Sequence, residues 1–413
     1  MPELLAPAGN PEKLRTAIRY GADAVYLSGK MFGMRSAAGN FDTAEIRDAV
    51  AYAHERGVRV YLAVNVMPHE HEYPDLLNFF SSIRDIPLDA LIIADLGVMA
   101  LAQRVLPQIP IHVSTQANVL SAETCRAYYA LGARRIILGR ELSLDEIRAI
   151  RAGIPDDLEL EAFIHGSMCI SYSGRCLLSA HFTDRDANRG ACTQPCRWQY
   201  RIRESAYELV EEKRPDEPIP ISEIDGETFF MSSRDTSMIE HIPELMEAGI
   251  DSFKIEGRMR SAYYVAVVTN TYRMAMNAYA TGKYTYDPAW GNELDSVSHR
   301  PYHTGYFFDS PHELANTSKA VGQLGERSYL ARVLSYDEET GYALFRQQNK
   351  FSVGDTVEIL MPGRVGIRLT VAELLDAERN PIENVPHPQM EFYMKLPFAV
   401  TEGDILRAAK ERK

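Results

Sequence analysis

From the N-terminus, short apolar runs alternate with stretches whose apolar residues recur at helical spacing. Leu4–Pro7, Ala24–Ser28, Arg59–Asn65, Ala90–Asp95, Ile111–Gln116, Arg135–Arg140 and Leu160–Gly166 are predicted strands, rich in Val, Ile, Leu and Tyr. Asp42–Arg56 and Ser143–Arg151 are predicted helices, the second opened by a Ser143/Glu146 capping box. Repeated βα units imply parallel strands joined by right-handed crossovers. Two further strand candidates, Phe229–Ser233 and Ser252–Glu256, bracket a helix around Ser237–Ala248. That makes nine candidates for a barrel of about eight strands, so either one is not a barrel strand or the barrel is irregular. An open doubly wound sheet is the alternative, but no glycine-rich phosphate turn follows the first strand.

The pattern then changes. A long helix, Ala262–Thr281, ends at Gly282, and Tyr284–Ser318 has no clear period. From about Gly325 come short alternating strands: Tyr329–Ser335, Tyr342–Arg346, Thr356–Leu360, Ile367–Leu374 and Gln389–Lys395. The expected organisation is a TIM-like (β/α) barrel over 1–283, a connector packed on it over 284–324, and a small all-β barrel domain over 325–413.

Composition is that of a globular protein, 46% hydrophobic and 24% charged. The start, MPELLAPAGNPEKL, has no basic segment leading into an apolar one, and no run approaches the roughly 18 apolar residues of a membrane span. A cytoplasmic protein with no membrane partner is expected. The net charge of −13 argues against a uniformly basic nucleic-acid binder, but its distribution is uneven. Thr183–Arg203 carries a local balance of +3, with Arg185, Arg189, Arg197, Arg201 and Arg203, and Glu204–Glu227 carries −7.

Four of the five cysteines, Cys169, Cys176, Cys192 and Cys196, fall within 28 residues, separated by six, fifteen and three residues. In a reducing compartment such a cluster reads as metal-binding or catalytic rather than disulfide-bonded. Four thiolates make a complete ligand set for an iron–sulfur cluster or for zinc. Only Cys192–Cys196 has the spacing of a zinc knuckle, which leaves iron–sulfur modestly ahead. Cys125 stands alone on a predicted helix as a small hydrophobe.

Barrel enzymes carry their chemistry at the C-terminal ends of the strands. The residues expected there are Asn65, Asp95, Gln116, Arg140, Glu141, His165, Lys254 and Glu256, each either functional or engaged in helix caps and barrel ion pairs. Lys254 and Glu256 share a strand face and read as a catalytic or substrate-anchoring pair, or as a barrel salt bridge. Arg258 and Arg260 can bind carboxylate or phosphate, or line a solvated face. His165 can be an acid or base, a cluster neighbour or a core histidine. His69 and His71 lack the HExxH spacing and belong to an exposed loop.

At these residues the chain resembles the peptidase U32 family. The resemblance rests on EAFIHGSMCISYSGRC and NRGACTQPCRWQY, and continues through PELLAPAGN, GADAVYLSG, VNVMPH, HVSTQAN, LGRELSLDEI, MSSRD, FKIEGRMRSAYY and KFSVGD. Length, the second cysteine block and the C-terminal β-domain look most like its tRNA hydroxylation protein P branch. The resemblance implies a TIM-like barrel and a [4Fe-4S] cluster on Cys169, Cys176, Cys192 and Cys196. It also implies prephenate-dependent, O2-independent hydroxylation of the wobble uridine of certain tRNAs to 5-hydroxyuridine. Some relatives draw the fourth cysteine from the segment that here reads MSSRD; Ser232 and Ser233 stand there, which leaves Cys196 as the fourth ligand.

On that basis Arg140 and Arg258 are expected to bind prephenate. Arg189 and Arg197 would take the phosphates of the tRNA anticodon loop, with Trp198 or Tyr200 stacking a base. His165, Lys254 and Glu256 are the candidate catalytic residues, and a family-related partner or electron donor is a possible associate. The family's older name points instead to a peptidase, collagenase-like in some members, although neither a G-x-S-x-G elbow nor HExxH is present. A zinc-stapled RNA-binding scaffold is the third reading.

Overall fold

The computed structural model describes residues 1–33, 39–169, 171–172, 176, 178–183, 185, 191–197, 208–211, 214–220, 222–224, 227–229, 233–282, 284–309, 324–325 and 327–409. The seven apolar runs ahead of the cysteine segment are strands β1 (Glu3–Pro7), β2 (Ala24–Ser28), β3 (Arg59–Val64), β4 (Ala90–Ile93), β5 (Ile111–Val113), β6 (Ala133–Ile137) and β7 (Glu159–Ser167). Each pairs in parallel with the next. The connecting helices are α1 (Pro11–Arg19), α2 (Thr43–His54), α3 (Tyr73–Ser82), α4 (Leu96–Val105), α5 (Ala122–Ala130) and α6 (Leu144–Ala152). The Ser143/Glu146 capping box opens α6 as expected, and Asp42 with Glu45 opens α2 in the same way.

Past β7 come α7 (Leu178–Thr183) and two antiparallel hairpins, β8 (Glu208–Glu211) with β9 (Arg214–Pro220) and β10 (Ser222–Ile224) with β11 (Glu227–Phe229). Then follow β12 (Asp235–Ser237), α8 (Ile242–Glu247) and β13 (Ser252–Ile255). Strand β13 pairs in parallel with both β1 and β7 and so closes an eight-stranded barrel. Closure excludes the open doubly wound sheet. Of the two late candidates, Ser252–Glu256 supplies the eighth barrel strand, while Phe229–Ser233 lies largely outside the described residues, with Phe229 ending β11. The nearby β12 instead runs antiparallel to the end of β7 and pairs with β14 (Tyr302–His303).

Chain contacts define two compact units that interleave in sequence. The barrel unit is Met1–Leu14, Ala22–Arg260 and His299–Leu324; the second is Arg15–Gly21, Ser261–Ser298 and Gly325–Lys413. Inside the barrel, alternate residues of successive strands, Leu5, Tyr26, Tyr61, Ala63, Ile92 and Ile137 among them, pack with Phe163.

The second unit contains α9 (Ala262–Ala280) and α10 (Pro288–Leu294). Ser261 caps the start of α9, and Gly282, at φ 72°, follows its end. Its sheet comprises β15 (Tyr329–Tyr336), β16 (Tyr342–Gln347), β17 (Thr356–Leu360), β18 (Ile367–Thr370), β19 (Leu374–Leu375), β20 (Pro381–Ile382), β21 (Glu391–Lys395) and β22 (Ile405–Ala408). Their order is β18-β17-β22-β15-β16-β21-β19-β20, an antiparallel half-barrel in keeping with the small all-β barrel domain expected. Strand β22 escaped the sequence reading because its four residues include an arginine at a fully buried position. Val333, Phe345, Ile359, Phe392 and Leu406 form the core, with the Phe345 and Phe392 rings stacked at 5.2 Å.

Candidate active site at the barrel mouth

The floor of the barrel is ionic. Arg135 on β6 reaches Glu3 on β1 (2.7 Å) and Glu161 on β7 (3.0 Å), and β6 and β1 are not neighbours, so the side chains meet in the interior. Glu161 Oε1 accepts a 2.6 Å bond from Lys254 Nζ, and Tyr61 donates to Glu3 at 2.6 Å. Burial alone would raise the pKa of Glu161, but Lys254 and Arg135 outweigh it and hold the carboxyl below its ordinary value. Above this layer the Lys254 ammonium lies 4.5 Å from the Tyr26 ring and 5.2 Å from the Phe163 ring. The Arg140 guanidinium stands 4.0 Å from Phe163. Lys254 is thus built into a buried ion pair with Glu161 rather than with Glu256. Its proposed partner Glu256 donates its backbone N–H to the His165 carbonyl at 2.8 Å, past the end of β13.

At the C-terminal rim the expected polar residues divide by role. Asp95 caps α4 through Val98 N–H (2.9 Å) and accepts from the Tyr73 hydroxyl. Asn65 donates to Ser114 Oγ at 3.5 Å, and Gln116 is buried beside it in a 3-10 turn. Burial raises the pKa of Glu141. Arg258 is buried at 3% exposure, so it does not line a solvated face, and a Cβ on Gly9 would collide with its carbonyl oxygen. His69 and His71 are exposed, and Cys125 is fully buried.

His165 is buried at 1% exposure, with its ring 5.3 Å from that of Tyr302, which stacks on His299 at 4.0 Å. Burial, with His299 and Arg260 nearby, pushes its pKa down to about 3, so the imidazole is neutral at physiological pH. Two residues on, Ser167 accepts Arg140 Nη1 on its carbonyl (2.8 Å) and Arg260 Nη2 on its hydroxyl (3.0 Å).

The chain leaves β7 directly into the cysteine segment. Cys169 and Cys192 are exposed, Cys176 and Cys196 half-buried, and none is in a disulfide. Cys192 Sγ accepts the Gln194 N–H at 3.4 Å. As a donor set, four thiols without disulfides fit a thiolate-ligated metal centre. Among the described residues, no three His, Cys, Asp or Glu side chains converge closely enough to hold a metal ion. Arg185 is exposed; Arg189, Trp198, Tyr200 and the side chain of Arg197 lie outside the described residues. Sequence reasoning missed the floor residues Glu3, Arg135 and Glu161, and the joint between β12 and β7 made by Ser233, Asp235 and Arg300. A charged residue inside an apolar strand was the available signal for the floor.

A closed parallel barrel whose seventh strand opens into a four-cysteine segment defines the class. The chain belongs to peptidase family U32: that domain matches residues 9–317, and the U32 C-terminal domain matches residues 326–407. The protein named tRNA hydroxylation protein P1 from Bacillus subtilis is 36% identical over 99% of this chain and 95% of its own length. The 23S rRNA 5-hydroxycytidine C2501 synthase of Escherichia coli is 35% identical over 67% of this chain and 39% of its own. A protein named collagenase from Porphyromonas gingivalis is 30% identical over 94% of this chain and 93% of its own. Among the described residues no helix is long and apolar enough to cross a membrane.

Proposed function

We propose that the protein takes part in RNA hydroxylation: prephenate-dependent, O2-independent conversion of the tRNA wobble uridine to 5-hydroxyuridine, in the cytoplasm. The observation that carries this reading is the run of four thiols beginning two residues past Ser167, whose carbonyl holds Arg140 at the barrel rim. Near-full-length similarity to a relative named for tRNA hydroxylation supports it. Cys169, Cys176, Cys192 and Cys196 would hold a [4Fe-4S] cluster, which supplies electron transfer when bound. Bringing the four sulfurs together around it is part of the proposal.

The chain's own residues bind and orient. Arg140, braced by Phe163 and the Ser167 carbonyl, presents a guanidinium to a carboxylate of prephenate, and Arg258 takes the second. His165, neutral and buried, can accept or donate a hydrogen bond at its ring nitrogens without carrying charge. Arg189 and Arg197 take anticodon-loop phosphates, and an external electron donor completes the system.

Nucleoside mass spectrometry on tRNA from a deletion strain, complemented with wild type or Cys169→Ala, tests the reading. Wild type should restore 5-hydroxyuridine-derived nucleosides and the variant should not; full modification in the deletion strain overturns it. Anaerobically purified protein should be brown and carry iron and acid-labile sulfide, where a zinc scaffold is colourless. Similarity to the protein named collagenase favours peptidase activity as the second reading. Against it, Ser167 Oγ is held by a guanidinium donor rather than by a base. A collagen or casein assay on the reconstituted protein decides that reading.

A further inference from the structure

Two cations lean on one aromatic ring inside the barrel mouth. Lys254 of β13 stands in register with Phe163 of β7, and its ammonium lies 5.2 Å from that ring and 4.5 Å from the ring of Tyr26 on β2. The Arg140 guanidinium, just past β6, stands 4.0 Å from the same Phe163 ring. Neither cation is fully used. An ammonium has three donors, and among the described residues Lys254 gives one to an acceptor, Glu161 Oε1 at 2.6 Å, and turns toward ring faces otherwise. Arg140 spends Nη1 on the Ser167 carbonyl, and its buried Nε has no partner among the described residues. A buried donor without an acceptor costs about 1–3 kcal/mol, so the pair calls for an acceptor supplied by a ligand. Phe163 and Arg140 are half-buried and Lys254 is 3% exposed, so the mouth is open as far as the ring and ends at the amine.

We propose that Lys254 forms an imine with the oxo carbon of a 2-oxo acid whose carboxylate is held by Arg140. A guanidinium fork matches a carboxylate, an amine matches a carbonyl carbon, and a 2-oxo acid joins the two groups by a single bond. The proposal rests on the reading above for its substrate, since prephenate carries a 2-oxo acid arm; the amine chemistry rests on the geometry. In the step, Lys254 passes one proton to Glu161, its freed electron pair forms the N–C bond, and the C=O π pair moves to oxygen. A second proton passes from nitrogen to that oxygen, and Glu161 returns the first, so the oxygen departs as water and the nitrogen pair closes the C=N bond. The net change is ammonium plus ketone to iminium plus water, with no oxidant or reductant, and the iminium charge stays against Glu161. Burial, the largest influence on the pKa of Lys254, lowers it against the pull of Glu161, which favours the free amine.

The test incubates the purified full-length protein with pyruvate or prephenate at neutral pH and sodium cyanoborohydride, which reduces iminium ions, and maps adducts by peptide mass spectrometry. Lys254 should gain the mass of the 2-oxo acid less one oxygen, several-fold more than the exposed Lys30, and Arg140→Ala should cut that labelling several-fold. Lys254 left unlabelled, or labelled no more than Lys30, overturns the imine. Labelling unchanged in Arg140→Ala overturns the carboxylate anchor. Mapping the wild-type chain needs no lysine variant, so the outcome does not depend on whether Lys254→Met folds. Nucleoside analysis of the complemented deletion strain separates the two readings. Labelled Lys254 in a protein that restores no 5-hydroxyuridine sinks the hydroxylation reading and leaves the imine, whereas unlabelled Lys254 in a protein that restores it does the reverse.

Discussion

Lys254 Nζ lies 2.6 Å from Glu161 Oε1 inside the barrel, with both side chains at 4% exposure or less. Glu161 also faces Arg135, so loss of Lys254 leaves the carboxylate with one cation rather than none. Removing one partner of a buried pair costs about 3–5 kcal/mol, and the retained arginine favours the lower end. Lys254→Met is expected to lose about 3 kcal/mol in urea denaturation, and Lys254→Met with Glu161→Leu to recover part of it. A loss below about 1 kcal/mol in the single variant would show that the pair does not hold the barrel floor.

The buried histidine gives a pH signature. Its pKa falls from an ordinary 6.5 to about 3 in the folded protein. Between those values the unfolded chain binds a proton that the native state refuses, so stability rises with pH across that window and is lost as pH falls through it. His165→Asn should flatten the acid limb of the stability curve between pH 6.5 and 3, with little change above 6.5. The size, at about 1.4 kcal/mol per pH unit, amounts to a few kcal/mol. Parallel curves for the two proteins, from denaturant titrations at several pH values, would remove the assignment.

These two residues also show what the sequence could convey. The strand β2 and the half-barrel strand at Thr356–Leu360 were legible to the residue, because Val, Ile, Leu and Tyr runs between turn signals have few other uses. Interior charge was not legible. Arg134 and Arg135 are adjacent and chemically identical, yet one is exposed and the other is locked among Glu3, Glu159 and Glu161. Period-two alternation states that they face opposite ways without saying which way is in. The joint at the end of β7 was hidden for another reason: Ser233, Asp235 and Arg300 lie 65 or more residues along the chain from the backbone they hold, and only closure of the barrel and pairing of β12 bring them there. The cysteine segment raised an expectation of thiolate chemistry from sequence proximity alone, four thiols lying within 28 residues.

Arg140 is expected to report anion binding at the mouth. Its guanidinium is fixed by the Ser167 carbonyl and the face of Phe163, so a lysine cannot reproduce its geometry. Isothermal titration with prephenate should show affinity falling about 10- to 100-fold in Arg140→Ala and nearly as far in Arg140→Lys, the worth of one charge-assisted hydrogen-bonded pair. Phe163→Leu, which keeps the cation and removes its ring, should lose less. Unchanged affinity in Arg140→Ala would move the dicarboxylate site elsewhere.

The second unit makes its own prediction at Arg407, which is 0% exposed on β22. Its guanidinium forms a two-pronged pair with Glu293 of α10, each bond 2.7 Å, and donates to Glu358 of β17 from Nε (3.0 Å) and Nη2 (2.8 Å). Ser296 Oγ accepts a further bond at 3.1 Å. One cation therefore sits between two buried carboxylates, and burial is outweighed by their attraction, which keeps the guanidinium charged. Arg407→Met should cost about 3–5 kcal/mol, because Glu293 then loses its two-pronged partner while Glu358 keeps Arg327. Arg407→Lys should fall between, since it restores the charge and not the fork. Combining Arg407→Met with Glu293→Met should recover stability relative to Arg407→Met alone, because it removes the carboxylate that Arg407 held with two prongs. Urea and thermal denaturation of the full chain measure all three, and a double variant no more stable than Arg407→Met would show that the carboxylate left behind is not the source of the loss.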